Sequence, residues 1–592
     1  MFKSLPLTVL VKTQSRVRKP LLHLIAALGI ADTDRKENAF TVCVCDEGQL
    51  ADTQADAYVV LTASDEGFAQ ALRTIGARNP AIGHPGYGLM PPIGHIATVV
   101  AEVTVSGVLL QALALAAGEK PAAARINVEH VVLHMIMPLV SAHSVGINNS
   151  AVIPPSLTTY PLGIVPCADG QVGAYQAVPT EWPRFCTMIG RDDIVDSWPT
   201  VAARRENGAS IWEAAESWFR SHTVADVVRL AQEAGLPYAP VLPLDALAKS
   251  AYLHRRGAIA VDSGIGLRPG APFCVENLET DAVSYSSREA VREAIFSALP
   301  TPVAGPLAGL VVVEVTQHWA GPLTARFLAD YGALVIKCEP TGGDFWRVTG
   351  SLGGEGVSWT FEPINLGKGS MVVNLKDASD RALLNALLGA CDISVENLSQ
   401  GARERGGLAF QDISALNPGI MAVSLPGYEV EGPLAALRGM GWSFEVASGY
   451  ASALGGGVPA NSGYPYGDPI GAITGFLAIL RELVRRRLGG KEGAALLDIG
   501  QVAALSYTLI EDLRNGGNEL SLTTLDDILV QGKVKPSWPI EQIATSSGRL
   551  MNHPGPLVAL SSMPARSRAP ALNEQGVAVR SAVGSVLEKA GS

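Results

Sequence analysis

The residue with the clearest chemical potential is Asp468, in the stretch Tyr464-Pro-Tyr-Gly-Asp468-Pro-Ile470. Pro469 behind it suits the first turn of a helix, where a missing N–H costs nothing. Ile470, Ile473, Leu477, Leu480, Val484 and Leu488 then recur at helical spacing. Gly471, Ala472, Gly475 and Ala478 leave a second face without bulk, so another backbone can come close there. Gly489 and Gly490 end the helix, with Arg485, Arg486 and Arg487 in its last turn. A carboxylate at this helix mouth has two readings. It can be an N-cap that satisfies free N–H groups, or a nucleophile held by those groups to attack an acyl carbon. Locally the cap is the simpler reading, and the choice depends on what surrounds the helix.

The chain around Asp468 is rich in core. Of its 592 residues 47% are hydrophobic and 17% charged, with 62 Gly and 38 Pro, which is the composition of a loop-rich globular protein with three to five domains' worth of interior. A net charge of −11, from 45 basic and 56 acidic residues, argues against nucleic-acid binding. It leaves room for a local basic pocket that takes a phosphorylated cofactor. The seven cysteines are scattered and lack paired metal spacing, so reduced thiols in a cytoplasmic protein are expected, with no metal. The apolar run near the N-terminus is short for a signal peptide. The most membrane-like run, 99–117, contains Glu102, and a buried helix is expected there rather than a membrane span.

Short strands alternate with helices in residues 1–80, with helix expected over Phe68–Ile75, a turn at His84-Pro-Gly-Tyr-Gly88 and a long apolar helix from about His95 to Ala117. Residues 155–250 have the texture of a compact α+β unit, and 280–309 lead through a helix into a Pro/Gly/Ala-rich linker. From Leu310 buried strands and helices alternate again, which predicts a doubly wound parallel sheet. No G-x-G-x-x-G follows its first strand, so dinucleotide binding is not expected. An internal repeat links the ends. His95 opens one helix as Asp468 opens the other, and Glu119 follows His95 by 24 positions, as Glu492 follows Asp468.

Several motifs in order resemble the family III CoA-transferases, the group that includes formyl-CoA and carnitine CoA-transferases. They are Leu307-Ala-Gly-Leu-Val-Val-Val-Glu-Val-Thr316, Trp319-Ala-Gly-Pro322, Leu328-Ala-Asp-Tyr-Gly-Ala-Leu-Val-Ile-Lys-Cys-Glu-Pro340, Asn365-Leu-Gly-Lys-Gly-Ser370, Val395-Glu-Asn-Leu-Ser-Gln-Gly-Ala402, Leu416-Asn-Pro418, Gly467-Asp-Pro469 and the tail from His553-Pro-Gly-Pro. Val165-Pro-Cys-Ala-Asp-Gly170, Thr223-Val-Ala-Asp226 and Leu253-His-Arg-Arg-Gly257 resemble the family's small domain and the segment after it. The resemblance implies two fused, partly pruned copies: residues 1–150 a degenerate first large domain, 151–255 a small α+β domain covering the active site, 256–306 a return segment and linker, and 307–592 an intact CoA-binding catalytic domain with a C-terminal tail. The implied fold is α/β, with open Rossmann-like parallel sheets and a smaller α+β domain, interlocked as a pseudo-dimer in a monomer or homodimer.

The resemblance places Asp468 on the family's nucleophile. It implies CoA transfer from an acyl-CoA to a small carboxylic acid through an aspartyl anhydride and an aspartyl-CoA thioester, with no nucleic-acid or membrane partner. It assigns Trp319, Ala320, Lys368, Arg405 and Arg438 to coenzyme A, with surface charge or packing as the alternative for each, and Glu445 and Tyr466 to the substrate side. Trp442, Phe444, Tyr450, Tyr464 and Tyr466 crowd the approach and hint at a bulky or apolar acid. Two departures stand out. The candidate lid stretch, 148–160, has no glycine run, and His95 replaces the carboxylate in the first copy, where a structural role is expected. Trp442-Ser-Phe-Glu-Val446 does not match the His-Asp-x-Asn-Tyr stretch of family racemases. An isomerase, hydrolase or lyase on the same scaffold, and a non-catalytic acyl-CoA-binding protein, are the alternatives.

Overall fold

A computed structural model describes residues 5–12, 18–31, 40–46, 55–62, 93–145, 161–176, 178–262, 266–278, 288–300, 304–348, 357–454, 459–460, 462, 465–489, 493–514, 540–560 and 563–591. The expected helix Phe68–Ile75, the turn His84–Gly88, the stretch 148–160, Tyr464 and the pair Lys491-Glu492 lie outside them.

In the second half, continuous apolar runs make strands buried on both faces, as a parallel sheet covered by helices requires. The strands are β12 (Val311–Val315), β13 (Leu334–Glu339), β14 (Gly369–Val372), β15 (Ile393–Glu396), β16 (Met421–Ser424) and β17 (Ala494–Asp498), numbered in chain order after the eleven strands described below. They lie in the order β14-β13-β12-β15-β16-β17, all parallel. The order reverses between β12 and β15, and the carboxyl ends of those strands open the crevice where such sheets take ligands. Val312 faces one apolar core, while Val311 and Val313 face another, which follows from the alternation of side chains along a strand.

The first half repeats this plan. β1 (Leu5–Val11), β2 (Ile30–Ala31), β3 (Phe40–Asp46), β4 (Ala57–Thr62) and β5 (Ala124–Asn127) form a parallel sheet in the order β2-β1-β3-β4-β5. That is the order β13-β12-β15-β16-β17 without the outer strand β14. In both halves a long helix precedes the last of these strands: α1 (Ile93–Ala116) before β5, and the Asp468 helix (Gly467–Gly489) before β17. The two helices pack on each other, and one continuous core runs from the first sheet through them to the second. α1 is long and apolar enough to cross a membrane, but 89% of that stretch is buried within the molecule.

Between the halves, β6 (Pro161–Pro166), β7 (Gln171–Tyr175) and β8 (Ala239–Pro240) form a three-stranded sheet with amphipathic helices around its own core. The chain then runs through the hairpin β9 (Ile259–Asp262) and β10 (Gly266–Pro269) to β11 (Cys274–Leu278), which joins the second sheet antiparallel to β17. The C-terminal hairpin β18 (Ile540–Ala544) and β19 (Leu550–Pro554) packs back on the first half, where the Ser141 hydroxyl donates to the Asn552 carbonyl at 3.0 Å and Ala559 pairs with Arg125. Each half therefore completes the other.

Candidate active site

Four helices set the site. They are α2 (Ala320–Asp330) after β12, α3 (Gly441–Ala447), α4 (Tyr450–Leu454) and α5 (Gly467–Gly489). α5 starts one residue before Asp468. The Tyr466 carbonyl accepts the Ile470 N–H at 3.2 Å, so Tyr466 holds the capping position and Asp468 lies in the first turn. The cap reading of Asp468 is thus corrected, because Tyr466 and not Asp468 holds the position that starts the helix. The bare face of α5 is used: a methyl group added at Gly475 would sit 3.0 Å from Thr324 Oγ1 on α2, and one at Gly471 would sit 3.0 Å from the Gln501 side chain. Those close contacts lock α5 against its neighbours and hold its N-terminus in place.

Asp468 is half-buried. Burial pushes its carboxyl up to about 7. Gly441, the first residue of α3, faces it. A Cβ there would stand 2.6 Å from Asp468 Oδ2 and 2.3 Å from Pro465 Cβ, so only glycine leaves room for the carboxyl group. One turn along α3 is Glu445, buried at 2% exposure. Its two oxygens accept from Tyr466 N at 2.8 Å and Ser462 Oγ at 2.6 Å. Those bonds favour the anion. Burial foremost, with the nearby Asp468 charge, outweighs them and raises Glu445 well above the carboxylate range. Two carboxyls in one dry region, Asp468 pushed up to about 7 and Glu445 raised well above the carboxylate range, are the pattern of a site with divided roles.

The small sheet reaches this region. Tyr175 on β7 packs with Trp442 and Val446 of α3, and the Glu445 charge adds to the burial that raises the Tyr175 phenol. A methyl group at Gly173 would meet Val446 at 2.7 Å, so the glycine permits close docking. The Leu242 N–H donates to Val446 O at 2.8 Å, and Gln232 exchanges two hydrogen bonds with the backbone of Arg438 at 2.8 and 2.9 Å. Arg438 is thus placed on this seam by its backbone, with its side chain exposed.

Trp319 and Ala320 stand where β12 turns into α2, at the switch-point crevice. Across it, Asn397 after β15 accepts from Gln317 N at 3.0 Å and donates to Gln317 O at 2.7 Å. Arg405 is exposed at the end of the helix Gln400–Arg405 on that far side. Trp319 and Ala320 are packed into the turn, at 5% and 1% exposure, while the Arg405 carbonyl accepts from Arg381 Nη1 at 3.2 Å. His318 takes a left-handed conformation, φ 64°, in this turn, and its N–H donates to Asp344 Oδ1 at 3.3 Å.

Lys368 corrects an expectation. Its ammonium points inward, bonded to Pro322 O at 2.7 Å, Asn365 Oδ1 at 2.9 Å and Glu314 Oε2 at 2.8 Å. All three donors are used within a buried network in which Lys337 joins Glu314 and Asp344 at 2.9 and 3.0 Å. The lysine supports the β12–α2 turn from beneath and leaves no donor for a phosphate. Tyr466, expected on the substrate side, contributes through its backbone; its ring is fully buried 6.0 Å from that of Tyr450. His95, the counterpart of Asp468, is fully buried; its Nδ1 is hydrogen-bonded to Thr508 Oγ1 on α6 (Gln501–Arg514), and burial pushes it down to about 3. Ser462, Tyr175 and Gly441 were missed in the sequence. Only the repeated glycines at 439 and 441, just ahead of the aromatic helix, carried a local sign.

Residues 55–273 and 307–519 match the family model for CoA-transferase family III. The chain belongs to this family. Its two matched segments and its repeated sheet fit a tandem of two family copies. It is 33% identical over 219 residues to an acetyl-CoA:oxalate CoA-transferase of Acetobacter aceti, covering 36% of this chain and 56% of that protein. A succinate–glutarate CoA-transferase of Agrobacterium fabrum is 32% identical over 260 residues, 42% of this chain and 62% of the relative. The human succinyl-CoA:glutarate CoA-transferase is 31% identical over 34% of this chain and 47% of its own length. The chain thus spans about half to three-fifths of these curated relatives. Among solved structures, a CAIB/BAIF family protein from Brucella suis is 26% identical over 41% of this chain and 65% of that one, with a TM-score of 0.34.

Proposed function

We propose that this family III protein moves CoA from an acyl-CoA thioester to a carboxylic acid, with Asp468 as nucleophile. The observation that carries the reading is the half-buried Asp468 carboxyl in the first turn of α5, given room by Gly441 and freed from capping by Tyr466. The Asp468 carboxylate attacks the thioester carbonyl, the C–S bond breaks, and a mixed anhydride and CoA thiolate result. The thiolate attacks the Asp468 carbonyl carbon, releasing the donor acid and leaving an aspartyl-CoA thioester. The acceptor carboxylate attacks that carbon and expels the thiolate, which then attacks the acceptor's acyl carbon and frees Asp468. Each step exchanges one acyl bond for another and needs no outside energy source.

Burial raises the Glu445 carboxyl and so disfavours a second negative charge beside Asp468, and its clamp on Tyr466 fixes the start of α5. CoA lies in the switch-point crevice, against Trp319-Ala320 and near Arg405. The small domain covers the site within one chain, as a pseudo-dimer, giving a single working site in a cytoplasmic protein. The relatives named for oxalate and glutarate make short dicarboxylic acids the first acceptors to try. Incubation with acyl-CoA donors followed by hydroxylamine trapping should give a hydroxamate mass at Asp468 and none elsewhere. Turnover that survives Asp468→Ala overturns the nucleophile, and CoA binding without turnover on any donor overturns the transferase reading.

A further inference from the structure

Behind Tyr466, two residues before Asp468, lies a pair of polar groups that the proposed transfer steps do not use. His95 Nε2 and the Tyr450 hydroxyl are both buried with no hydrogen-bond partner among the described residues. Their rings are 5.0 Å apart, and Tyr450 in turn lies 6.0 Å from Tyr466, the residue that caps α5 and clamps Glu445. The protons can be assigned. The Thr508 hydroxyl donates its single hydrogen to Leu505 O at 2.7 Å, so it can only accept from His95. His95 therefore carries its proton on Nδ1, and burial keeps the ring neutral. Nε2 is left as a bare acceptor, and Tyr450, its ring 5.0 Å from that of His95, carries a phenol donor that is also without a partner among the described residues. Buried polar groups are rarely left this way without a purpose or an occupant.

We propose, resting on the transferase reading above, that His95 and Tyr450 form a specificity subsite for a hydroxyl group on the carboxylic acid. A hydroxyl donates once and accepts once, which matches an acceptor nitrogen next to a phenol O–H. The eroded copy thus contributes the residue in its former nucleophile position to recognition at the surviving site. A plain aliphatic acid leaves both groups unpaired, and sites built to hydrogen-bond a hydroxyl discriminate strongly against analogues that lack it.

The test uses acids that differ only in the hydroxyl: malate and succinate, lactate and propanoate, 3-hydroxybutyrate and butyrate. The full-length protein is assayed with acetyl-CoA as donor, and the readout is the ratio of kcat/KM for the hydroxylated over the plain acid. The wild type should favour at least one hydroxylated member, and Tyr450→Phe, which removes one oxygen and keeps the ring, should lower that ratio by about tenfold or more. His95→Leu should lower it likewise. A general loss of activity with an unchanged ratio, or a ratio that stays within about twofold in both variants, overturns the subsite and assigns the pair to a trapped water or to packing. If the wild type transfers CoA to none of these acids, the transferase reading fails for them, and calorimetric binding of the same pairs decides the subsite. Tighter binding of a hydroxylated member that Tyr450→Phe abolishes supports it, and equal binding of both members overturns it.

Discussion

Under the proposed nucleophile role, burial of Asp468 serves chemistry at the cost of stability. With its carboxyl pushed up to about 7, only the ionised fraction can attack, so kcat/KM should rise with pH through about 7 and level off above it. The stability effect has the opposite sense. An unfolded aspartate titrates near ~3.9, so between there and about 7 the native state holds more protons than the unfolded chain, and stability falls as pH rises through about 7. Asp468→Asn should therefore be inactive yet melt higher than the wild type at pH 8, by about 2 °C or more, with the gap closing below about pH 4. Calorimetry across that range checks both signs. Gly441→Ala should act in the other direction. Its methyl group must displace Asp468 Oδ2 or Pro465, so transfer should fall by about a hundredfold or more, with a modest loss of stability of about 1–3 kcal/mol. Steady-state rates and urea midpoints separate the two effects.

At the scale of elements, the contact between α1 and α5 carries one polar link. Thr474 Oγ1 on α5 donates to Glu102 Oε2 on α1 at 2.7 Å in a fully buried setting. Burial pushes Glu102 up to about 8, more than the threonine bond lowers it, so the group is a neutral acid at pH 7. This is why a helix with a carboxyl in its middle can pack as an apolar one. Glu102→Gln keeps the acceptor and the shape, and should leave the urea midpoint nearly unchanged only near ~pH 4, where the acid is protonated in the folded and the unfolded chain alike. As pH rises from the unfolded glutamate range, near ~4.3, to about 8, the unfolded chain gives up this proton while the folded chain holds it, so the wild type loses stability and the glutamine variant does not. The denaturation midpoints of the two proteins should therefore coincide near ~pH 4 and diverge in favour of the variant by about pH 8.

At the scale of the molecule, the halves are joined by chain that leaves one and completes the other. β11 extends the second sheet, and just before it Arg256 reaches the end of β17, with Nη1 2.6 Å from Asp498 Oδ2 and Nη2 2.8 Å from Asp498 O. Asp498 also accepts from Val430 N at 3.0 Å, which fixes the loop after β16. Arg256→Ala leaves that buried carboxylate without its cation and should cost about 3–5 kcal/mol. Replacing Arg256 and Asp498 together with methionine and asparagine should recover much of the loss. Chemical denaturation of the two variants checks the difference, which a surface ion pair would not produce.

Much of this architecture is carried by contiguous residues and is legible without coordinates. The buried runs at Val311–Val315 and Leu334–Glu339, the helical stripe after Asp468, the repeat of His95 with Asp468 and the order of the family motifs are properties of local sequence, because periodicity and turn chemistry act over a few residues. What the assembled molecule alone decided depends on partners far apart in the chain. His95 meets Thr508 across 413 positions, and Gln232 meets Arg438 across 206. Lys368 turns inward because Glu314 waits beneath the β12–α2 turn, and Tyr466 takes the cap that local rules assign to Asp468. The raised carboxyls of Asp468 and Glu445 belong to the same class. Desolvation is set by everything packed around a group, so a residue's type and spacing name the candidate, and only tertiary packing sets its proton.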